Sequence, residues 1–194
     1  MILAEPLRVT SVVGGILDQL GVPWLVGGSL ASSIHGIPRA TQDVDLVADL
    51  RLPQLAPFVS AMEPAFYCAD EAVRDAIRRR ASFNVIHYAT AMKVDIFMLK
   101  GDALSRAEMD RRVFQVVGDA DGARLPVASP EDIILQKLDW YRKGDRVSDR
   151  QWRDVLGVLK VGGQALDTSY LAEQAAALEL TSLLNDAFEA AKAR

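Results

Sequence analysis

One stretch, residues 24–48, limits the fold more than any other part of the chain. It reads WLVGGSLASSIHGIPRATQDVDLVA. A short apolar run ends at the glycine-serine sequence of residues 27–29, and a segment of small residues follows. The Ile-Pro pair at 37–38 then enforces an extended backbone, because the residue before a proline avoids the helical region. A second apolar run carries Asp43 and Asp45. This order predicts a strand, a glycine turn, a short helix and a second strand.

The glycine turn has two interpretations. Gly27 and Gly28 allow backbone angles or close approaches that a side chain would block. Ser29 lies where the N-cap of a helix over 30–34 is expected. A glycine turn that opens a helix presents free N–H groups and the positive end of the helix dipole, which suits a phosphate. The same pattern also occurs in a plain turn between a strand and a helix.

The two aspartates lie one residue apart on the second predicted strand. Because strand side chains alternate, Asp43 and Asp45 should point to one face while Val44 and Leu46 point to the other. Like charges repel and aspartate is depleted in strands, so we expect a positive group between the two carboxylates. A hard divalent cation is one candidate, and a solvated strand face is the simpler alternative. Together with the glycine turn, the Asp-x-Asp pattern favours the cation.

Composition excludes several classes of protein. The 194 residues suit one domain, or one domain with a small appendage. The formal net charge of −4 argues against a generally basic nucleic-acid-binding surface, although it leaves room for a local patch. With Cys68 as the only cysteine, neither an internal disulfide nor a multi-cysteine zinc site can form. The N-terminus lacks a basic region and no apolar run has transmembrane length, so we expect a cytoplasmic protein without a membrane partner.

The rest of the chain divides near Ser129. Residues 1–128 are expected to form an α/β domain, and residues 129–194 a helical C-terminal region packed on it, because Ser129-Pro130 is a strong helix start. The acidic sequence over 118–122 is predicted to be a plain turn, since it lacks the length and closing glutamate of a calcium loop. Periodicity predicts strands over 24–26, 44–48, 82–88, 92–99 and 112–117, with a hairpin through 89–91, and helices over 6–20, 53–62, 71–80, 102–110, 130–142, 149–161, 169–178 and 180–192.

A third aspartate, Asp95, interrupts the apolar strand predicted over 92–99. A lone charge in such a strand is costly unless it is paired or coordinated. It is therefore either a third metal-binding carboxylate or one partner of a salt bridge to an arginine. Three carboxylates on two strands beside a glycine turn suit metal-assisted phosphoryl or nucleotidyl transfer, in which two metals about 3.5–4 Å apart contact the attacking and leaving oxygens.

These motifs resemble the DNA polymerase β-type nucleotidyltransferase superfamily. Within it, the pattern GGSLASSIHGIPRATQDVDL is similar to the small bacterial nucleotidyltransferase-like proteins that are grouped with the AbiEii-type toxins. Residues 131–137 and the Arg153-Asp154 pair are similar to the lysine helix and the Arg-Asp helix of that group, with Gly157 or a neighbour where many members have a second acid. The resemblance covers residues 22–160 and implies an α+β fold, a mixed nucleotidyltransferase sheet with flanking helices and a C-terminal helical region.

The resemblance also implies a catalytic metal site. Asp43 and Asp45 would bind Mg²⁺, or Mn²⁺, and carry the phosphates of the nucleotide. Asp95 would complete the metal site and help to deprotonate the acceptor hydroxyl. All three would therefore be both catalytic residues and metal ligands.

Further residues are implied in nucleotide binding. Ser29 and the backbone of Gly28 would hold a phosphate, with Gly27 in the same turn. Lys137 would lie near the triphosphate as a point charge. Arg39 precedes the aspartates as in the toxin-like members, and it could pair either with the first of them or with a phosphate.

The implied activity is transfer of a nucleoside monophosphate from an NTP such as ATP to a hydroxyl acceptor on a tRNA, a protein or a small molecule. If the protein is a toxin, the resemblance also implies a partner antitoxin. An alternative is a nucleotide-binding or regulatory protein of the same fold that has lost catalysis. A third hypothesis is a structural interaction protein in which Asp95 forms only a salt bridge.

Overall fold

A computed structural model describes residues 3–117 and 123–192, and the predicted acidic turn at 118–122 lies outside this range. None of the described helices is both long and apolar enough to cross a bilayer. The strands are β1 Trp24–Val26, β2 Asp43–Ala48, β3 Phe66–Tyr67, β4 Ser82–His87, β5 Lys93–Met98, β6 Val113–Val117 and β7 Ala123–Val127. The helices are α1 Ala4–Gln19, α2 Gly28–His35, α3 Leu55–Met62, α4 Asp70–Arg79, α5 Ala103–Arg111, α6 Pro130–Lys143, α7 Asp149–Gly162, α8 Thr168–Ala177 and α9 Thr181–Lys192, with short 3₁₀ turns at Leu52–Gln54 and Gly163–Ala165.

The described strands form one mixed sheet in the order β3-β4-β5-β2-β1-β7-β6. β2 runs parallel to β5 and β1 parallel to β7, whereas the other neighbours are antiparallel. The predicted hairpin is confirmed as the antiparallel pair β4–β5. The prediction of an α+β fold with a mixed sheet is therefore confirmed.

The two parallel central strands have one buried face. Along β2, buried and partly exposed residues alternate, and along β5 they alternate in the same register. Helix α1 contacts β2, and α4 contacts β4 and β5. The buried side chains on β2 and β5 are Val44, Leu46, Ala48, Val94, Ile96 and Met98. Because the period of a strand is two, the residues between them are directed to the opposite, more open face.

Contacts divide the chain into two compact units. The first unit comprises Met1–Leu30 and Ala40–Ala128, and the second comprises Ala31–Arg39 and Ser129–Arg194. One change of unit lies at Ser129, where the sequence composition changes. The sequence predicted a single boundary at 128/129 and did not indicate that Ala31–Arg39 groups with the C-terminal helices. That the two parts are separate domains stays a prediction.

The second unit is built from well-capped helices. Ser129 caps α6 by accepting a hydrogen bond from the amide of Asp132 at 3.1 Å. Ser148 caps α7 through the amide of Gln151 at 3.4 Å. Both caps supply a side-chain oxygen to an amide that has no partner within its helix. Helix α7 contacts α6 and α9, and α8 contacts α6 and α9. The core of this unit includes Ile133, Ile134, Leu138, Val155, Val158, Leu171, Leu180 and Leu183.

Helix α2 differs from its prediction. It begins at Gly28, so Ser29 lies in the first turn, and the prediction of Ser29 as the N-cap was wrong. The amide of Gly27 donates to the carbonyl of Asp45 at 2.9 Å, which extends the pairing with β2 to the residue directly before the helix. The short strands β3 and β7 were not predicted.

Candidate active site

The three predicted carboxylates lie on one face of the β2–β5 pair. In the parallel register Asp43 is opposite Lys93, and Asp45 is opposite Asp95. Residues paired in this way direct their side chains to the same face, and alternate residues of one strand share that face. We call Asp43, Asp45, Lys93 and Asp95 the carboxylate face; all four belong to the first unit. The sequence predicted its three acids but not its lysine.

Lys93 forms an ion pair with Asp95, with 2.6 Å between Nζ and Oδ2. The Lys93 side chain is 47% exposed and that of Asp95 is 20% exposed. The hydrogen bond to Asp95 raises the pKa of Lys93 above its ordinary value, and the charges of Asp43 and Asp45 add to the effect. The partner of Asp95 is therefore a lysine and not the arginine considered from the sequence. The signal was present, because a residue two positions before Asp95 must share its strand face.

The glycine turn approaches one of these carboxylates closely. Gly28 has a positive φ of 55°, and a Cβ at this position would overlap the carboxylate of Asp45. Gly28 is therefore needed both for its backbone angle and for space. Gly27 is different, because a Cβ there would lie 3.9 Å from its nearest neighbour, the carbonyl oxygen of Asp45. The sequence suggested that a side chain at either glycine would block the local backbone conformation or a close approach. This is confirmed for Gly28 and wrong for Gly27.

The carboxylate face has the chemistry of a site for a hard cation. Carboxylate oxygens are the ligands that Mg²⁺ prefers, and Asp43 and Asp45 present them on one strand face. The Lys93 ammonium shows that a positive group is accommodated beside Asp95. Within residues 3–117 and 123–192, however, no group of three or more His, Cys, Asp or Glu side chains has the arrangement of a metal site. Asp43 and Asp45 fit as ligands of a divalent ion, and the role of Asp95 as a third ligand stays a prediction.

A second charged cluster lies within the second unit. Asp154 accepts hydrogen bonds from Nε of Arg39 at 2.7 Å and from its terminal nitrogen Nη2 at 2.8 Å. Nζ of Lys137 lies 2.9 Å from the same carboxylate. The side chains of Asp154 and Lys137 are only 5% and 7% exposed, and that of Arg39 is 27% exposed. We call Arg39, Lys137 and Asp154 the buried ion cluster.

The electrostatics of this cluster stabilise the ionised acid. Burial alone would raise the pKa of Asp154, but the hydrogen bond from Arg39 and the charge of Lys137 outweigh it and hold the pKa below its ordinary value. The two-point contact of a guanidinium with a carboxylate is among the strong hydrogen-bonded ion pairs. Asp154 is thus an anion held between two cations.

The cluster changes how Arg39 and Lys137 are understood. The sequence suggested a phosphate contact for both, and an aspartate of β2 as the alternative partner of Arg39. The structure gives both residues Asp154 as a partner, which the sequence did not indicate because 115 positions separate Arg39 from Asp154. Their direct contact with a nucleotide stays a prediction.

Gly157 lies against the segment that carries Arg39. A Cβ at Gly36 would approach the backbone of Gly157 and Val158 to 2.8 Å, and a Cβ at Gly157 would lie 3.2 Å from the amide nitrogen of Ile37. The first distance is shorter than real Cβ contacts, so the two backbones meet because both residues are glycine.

Cysteine chemistry is not a competing explanation of the site. Cys68 lies in the link between β3 and α4. Burial, with smaller contributions from the charges of Asp70 and Glu63, raises the pKa of its thiol to about 11. Since the thiolate is the nucleophilic form, Cys68 is not suited to attack a phosphate at neutral pH.

Several solved structures share this fold. The fold is similar to that of ANT(2″)-Ia, an antibiotic-resistance factor, whose solution structure is 12% identical, with 99% of this chain and 97% of that chain covered and a TM-score of 0.57. ANT(2″)-Ia has also been solved in complex with adenylyl-2″-tobramycin, at 13% identity, 91% and 98% coverage and a TM-score of 0.57. An antigenic nucleotidyltransferase-like protein from Paracoccidioides brasiliensis is 15% identical over 94% of this chain and 91% of that chain, with a TM-score of 0.54.

The sequence comparisons give the family. The chain matches no curated protein sequence. The profile of the family described as "Nucleotidyl transferase AbiEii toxin, Type IV TA system" matches residues 18–183, which is most of the chain and spans both charged clusters. The chain therefore belongs to the AbiEii nucleotidyltransferase toxin family.

Proposed function

We propose that the protein transfers a nucleoside monophosphate from an NTP to a hydroxyl acceptor in a reaction that needs a divalent cation. The observation that carries the proposal is the register of β2 and β5, which aligns Asp43, Asp45 and Asp95 on one open face beside the turn at Gly28. Buried ionic groups usually form pairs that hold a fold together, whereas acids gathered on a partly exposed face and next to a helix N-terminus suit a cation and phosphates.

In the proposed reaction the acceptor oxygen attacks the α-phosphorus. A new P–O bond forms, the bond between the α-phosphorus and the bridging oxygen breaks, and pyrophosphate leaves with its electron pair. Asp95 takes the proton of the acceptor hydroxyl, and Asp43 and Asp45 would hold the Mg²⁺ or Mn²⁺ ion. When bound, the ion would neutralise charge on the phosphates.

The remaining residues are proposed to hold the nucleotide. The amides at the start of α2, from Gly28 and Ser29, are directed along the helix axis and can donate to a phosphate. Gly27 connects this turn to β1. Arg39 and Lys137 are proposed as cationic phosphate contacts, with Asp154 fixing the position of both.

For the acceptor and the partners, only classes of molecule are proposed. A tRNA, a protein or a small molecule could supply the hydroxyl, and the net charge of −4 disfavours a large RNA footprint in the absence of a basic patch. The family description names a type IV TA (toxin–antitoxin) system, which supports a partner antitoxin. Because the reaction consumes NTPs, a cytoplasmic location is part of this proposal.

The test is transfer of label from the four α-³²P-labelled NTPs to a cell extract, followed by separation of nucleic acids, proteins and small molecules. Wild-type protein with Mg²⁺ should label one of these fractions. Asp45→Asn should reduce labelling by at least about 100-fold, since it removes one of the proposed charged ligands. Asp49→Asn is the matched control, because Asp49 directly follows β2 but pairs with Arg51 and Arg80. Labelling by Asp45→Asn at the wild-type rate would contradict the proposal.

The glycine turn offers a second matched pair. Gly28→Ala should displace the carboxylate of Asp45 and reduce labelling, because its Cβ would overlap that carboxylate. Gly27→Ala has room for its Cβ and should retain most of the activity. Circular dichroism and thermal melting should show that both variants fold. Equal activity of the two variants would contradict the proposed role of the turn.

The ion pair between Lys93 and Asp95 supports one competing hypothesis. With Asp95 engaged at 2.6 Å, the protein could bind nucleotide without transferring it. A Mg²⁺-dependent thermal shift with ATP or another NTP, but no labelling of any fraction, would support this regulatory or inactive nucleotide-binding protein.

A further inference from the structure

We infer that Lys93 is a built-in cation that competes with a divalent ion for the carboxylate face, so that the wild-type protein binds this ion more weakly than its three acids would allow. The inference rests on the proposed function, because it concerns the same face. It assigns a role to a residue that is neither a predicted ligand nor a nucleotide contact.

The position of Lys93 is fixed by the register of the strands. It lies opposite Asp43 on the neighbouring strand and two residues before Asp95 on its own. Its side chain must therefore share the face with the three acids. Its ammonium is 2.6 Å from Asp95, the distance of a charge-assisted hydrogen bond.

The charge of Lys93 acts on the same groups that would attract a divalent ion. A unit positive charge a few ångströms from a second cation repels it strongly in a partly exposed site. In addition, the Asp95 oxygen that holds the ammonium can accept a divalent ion only after the ammonium has moved. The 47% exposure of the Lys93 side chain allows this movement, because a lysine side chain is flexible and can turn into solvent.

The position of Lys93 therefore couples the binding of its own ammonium to Asp95 with the binding of a divalent ion to the carboxylate face. With Lys93 bound to Asp95, Asp43 and Asp45 remain for the divalent ion. With Lys93 displaced, Asp95 becomes available as well. Lys93 thus tunes the affinity of the face for divalent ions and favours one bound ion over two.

The experiment is a titration of the full chain with Mn²⁺ alone, in which electron paramagnetic resonance measures the free ion. Lys93→Met keeps the length of the side chain and removes its charge, and it should lower the dissociation constant for Mn²⁺ by about tenfold or more. Lys93→Arg keeps the charge and should remain within about threefold of wild type. Lys100→Met, which follows the other end of β5, is the matched control and should leave the constant unchanged.

An unchanged or weaker affinity for Mn²⁺ in Lys93→Met would overturn the inference. The same titration on Asp45→Asn separates this failure from that of the proposed function. If Asp45→Asn weakens Mn²⁺ binding while Lys93→Met has no effect, the metal site stands and only the competition by Lys93 is wrong. If neither variant changes the binding, the inference and the proposed metal site both fail. Thermal melting of each variant shows that the fold is intact.

Discussion

The two charged clusters of this protein are built on opposite principles. On the carboxylate face, strands β2 and β5 bring three acids and one lysine together, and that lysine is nearly half exposed. In the buried ion cluster, one acid, Asp154, is held by two cations and is almost completely buried. The first cluster gathers like charges in contact with water, whereas the second neutralises an acid away from it.

This difference separates a surface prepared for a ligand from a cluster that supports the fold. Like charges on an open face oppose one another, and a bound cation relieves that repulsion, which is the usual arrangement of a functional site. A buried anion with two hydrogen-bonded cations is already satisfied, and removing it would deprive a buried lysine and a partly exposed arginine of their shared carboxylate. The carboxylate face should therefore govern activity, and Asp154 of the buried ion cluster should govern stability, whether or not Arg39 and Lys137 also make the proposed phosphate contacts.

The largest expected effect follows from removing the buried acid. Asp154→Ala leaves Lys137 and Arg39 without their shared carboxylate in a site where the lysine is 7% exposed. We expect the free energy of unfolding to fall by about 3–5 kcal/mol, as for other broken buried ion pairs. Urea denaturation followed by circular dichroism measures it. Asp149→Ala, at an 89% exposed position of the same helix, is the control and should cost less than about 1 kcal/mol. A cost below about 1 kcal/mol for Asp154→Ala would remove the distinction between the two clusters.

A smaller effect is expected where the arginine segment meets α7. Gly36→Ala places a Cβ 2.8 Å from the backbone of Gly157 and Val158, so the segment that leads to Arg39 must shift. We expect a loss of about 1–3 kcal/mol, the usual cost of overpacking. Gly157→Ala, with a shortest contact of 3.2 Å and the better helix propensity of alanine, should cost less. Equal losses for both substitutions in urea denaturation would show that the backbone contact is more adaptable than the structure indicates.

Acid should destabilise the second unit through Asp154. Because its pKa is lower in the folded than in the unfolded chain, Asp154 stabilises the fold above its ordinary pKa of 3.8, and this contribution is lost as the pH falls through the folded value. The free energy of unfolding of wild type should therefore decrease below about pH 4, and less steeply in Asp154→Asn.

Asp139, another acid of the second unit with a lowered pKa, is the control for the acid experiment. Burial would raise the pKa of Asp139, but hydrogen bonds from Lys143 and Arg142 lower it, and its side chain is 19% exposed. Salt at about 1 M should weaken the contribution of Asp139 more than that of Asp154, because its partners Arg142 and Lys143 are 35% and 67% exposed and exposed charges are screened. If the pH dependence of Asp154→Asn matches that of wild type, Asp154 is not the acid-sensitive group.

These two clusters also show what a sequence can reveal. The carboxylate face was predictable because its acids lie on strands whose period of two fixes the direction of each side chain. Asp43 and Asp45 share a face by spacing alone, and Asp95 needed only the additional expectation that its strand lies in the same sheet. Lys93 was not predicted, although the same periodicity directs it to the face that carries its ion-pair partner Asp95.

The buried ion cluster could not be derived in this way. Arg39 and Asp154 are 115 positions apart, and nothing local indicates that residues 31–39 group with the C-terminal helices. The packing of Gly36 on Gly157 brings that segment to α7, and such a contact depends on the whole unit. The same limit explains Ser29, where the pairing of Gly27 with Asp45 set the start of α2 one residue before the predicted N-cap.

The smallest expected effect on stability is that of a substitution on the carboxylate face. It tests whether the acids of this face contribute to activity and not to stability. Asp43→Asn removes one of the like charges but retains an oxygen that can accept the 3.0 Å hydrogen bond from Oγ1 of Thr41. Relief of repulsion and loss of attraction to Lys93 oppose each other, so the free energy of unfolding should change by less than about 0.5 kcal/mol. The same variant should lose at least about 100-fold in labelling, because a neutral amide is a poor substitute for a charged ligand. A loss of stability comparable to that of Asp154→Ala would mean that the acids of β2 support the fold, and the functional assignment of this face would then have to be withdrawn.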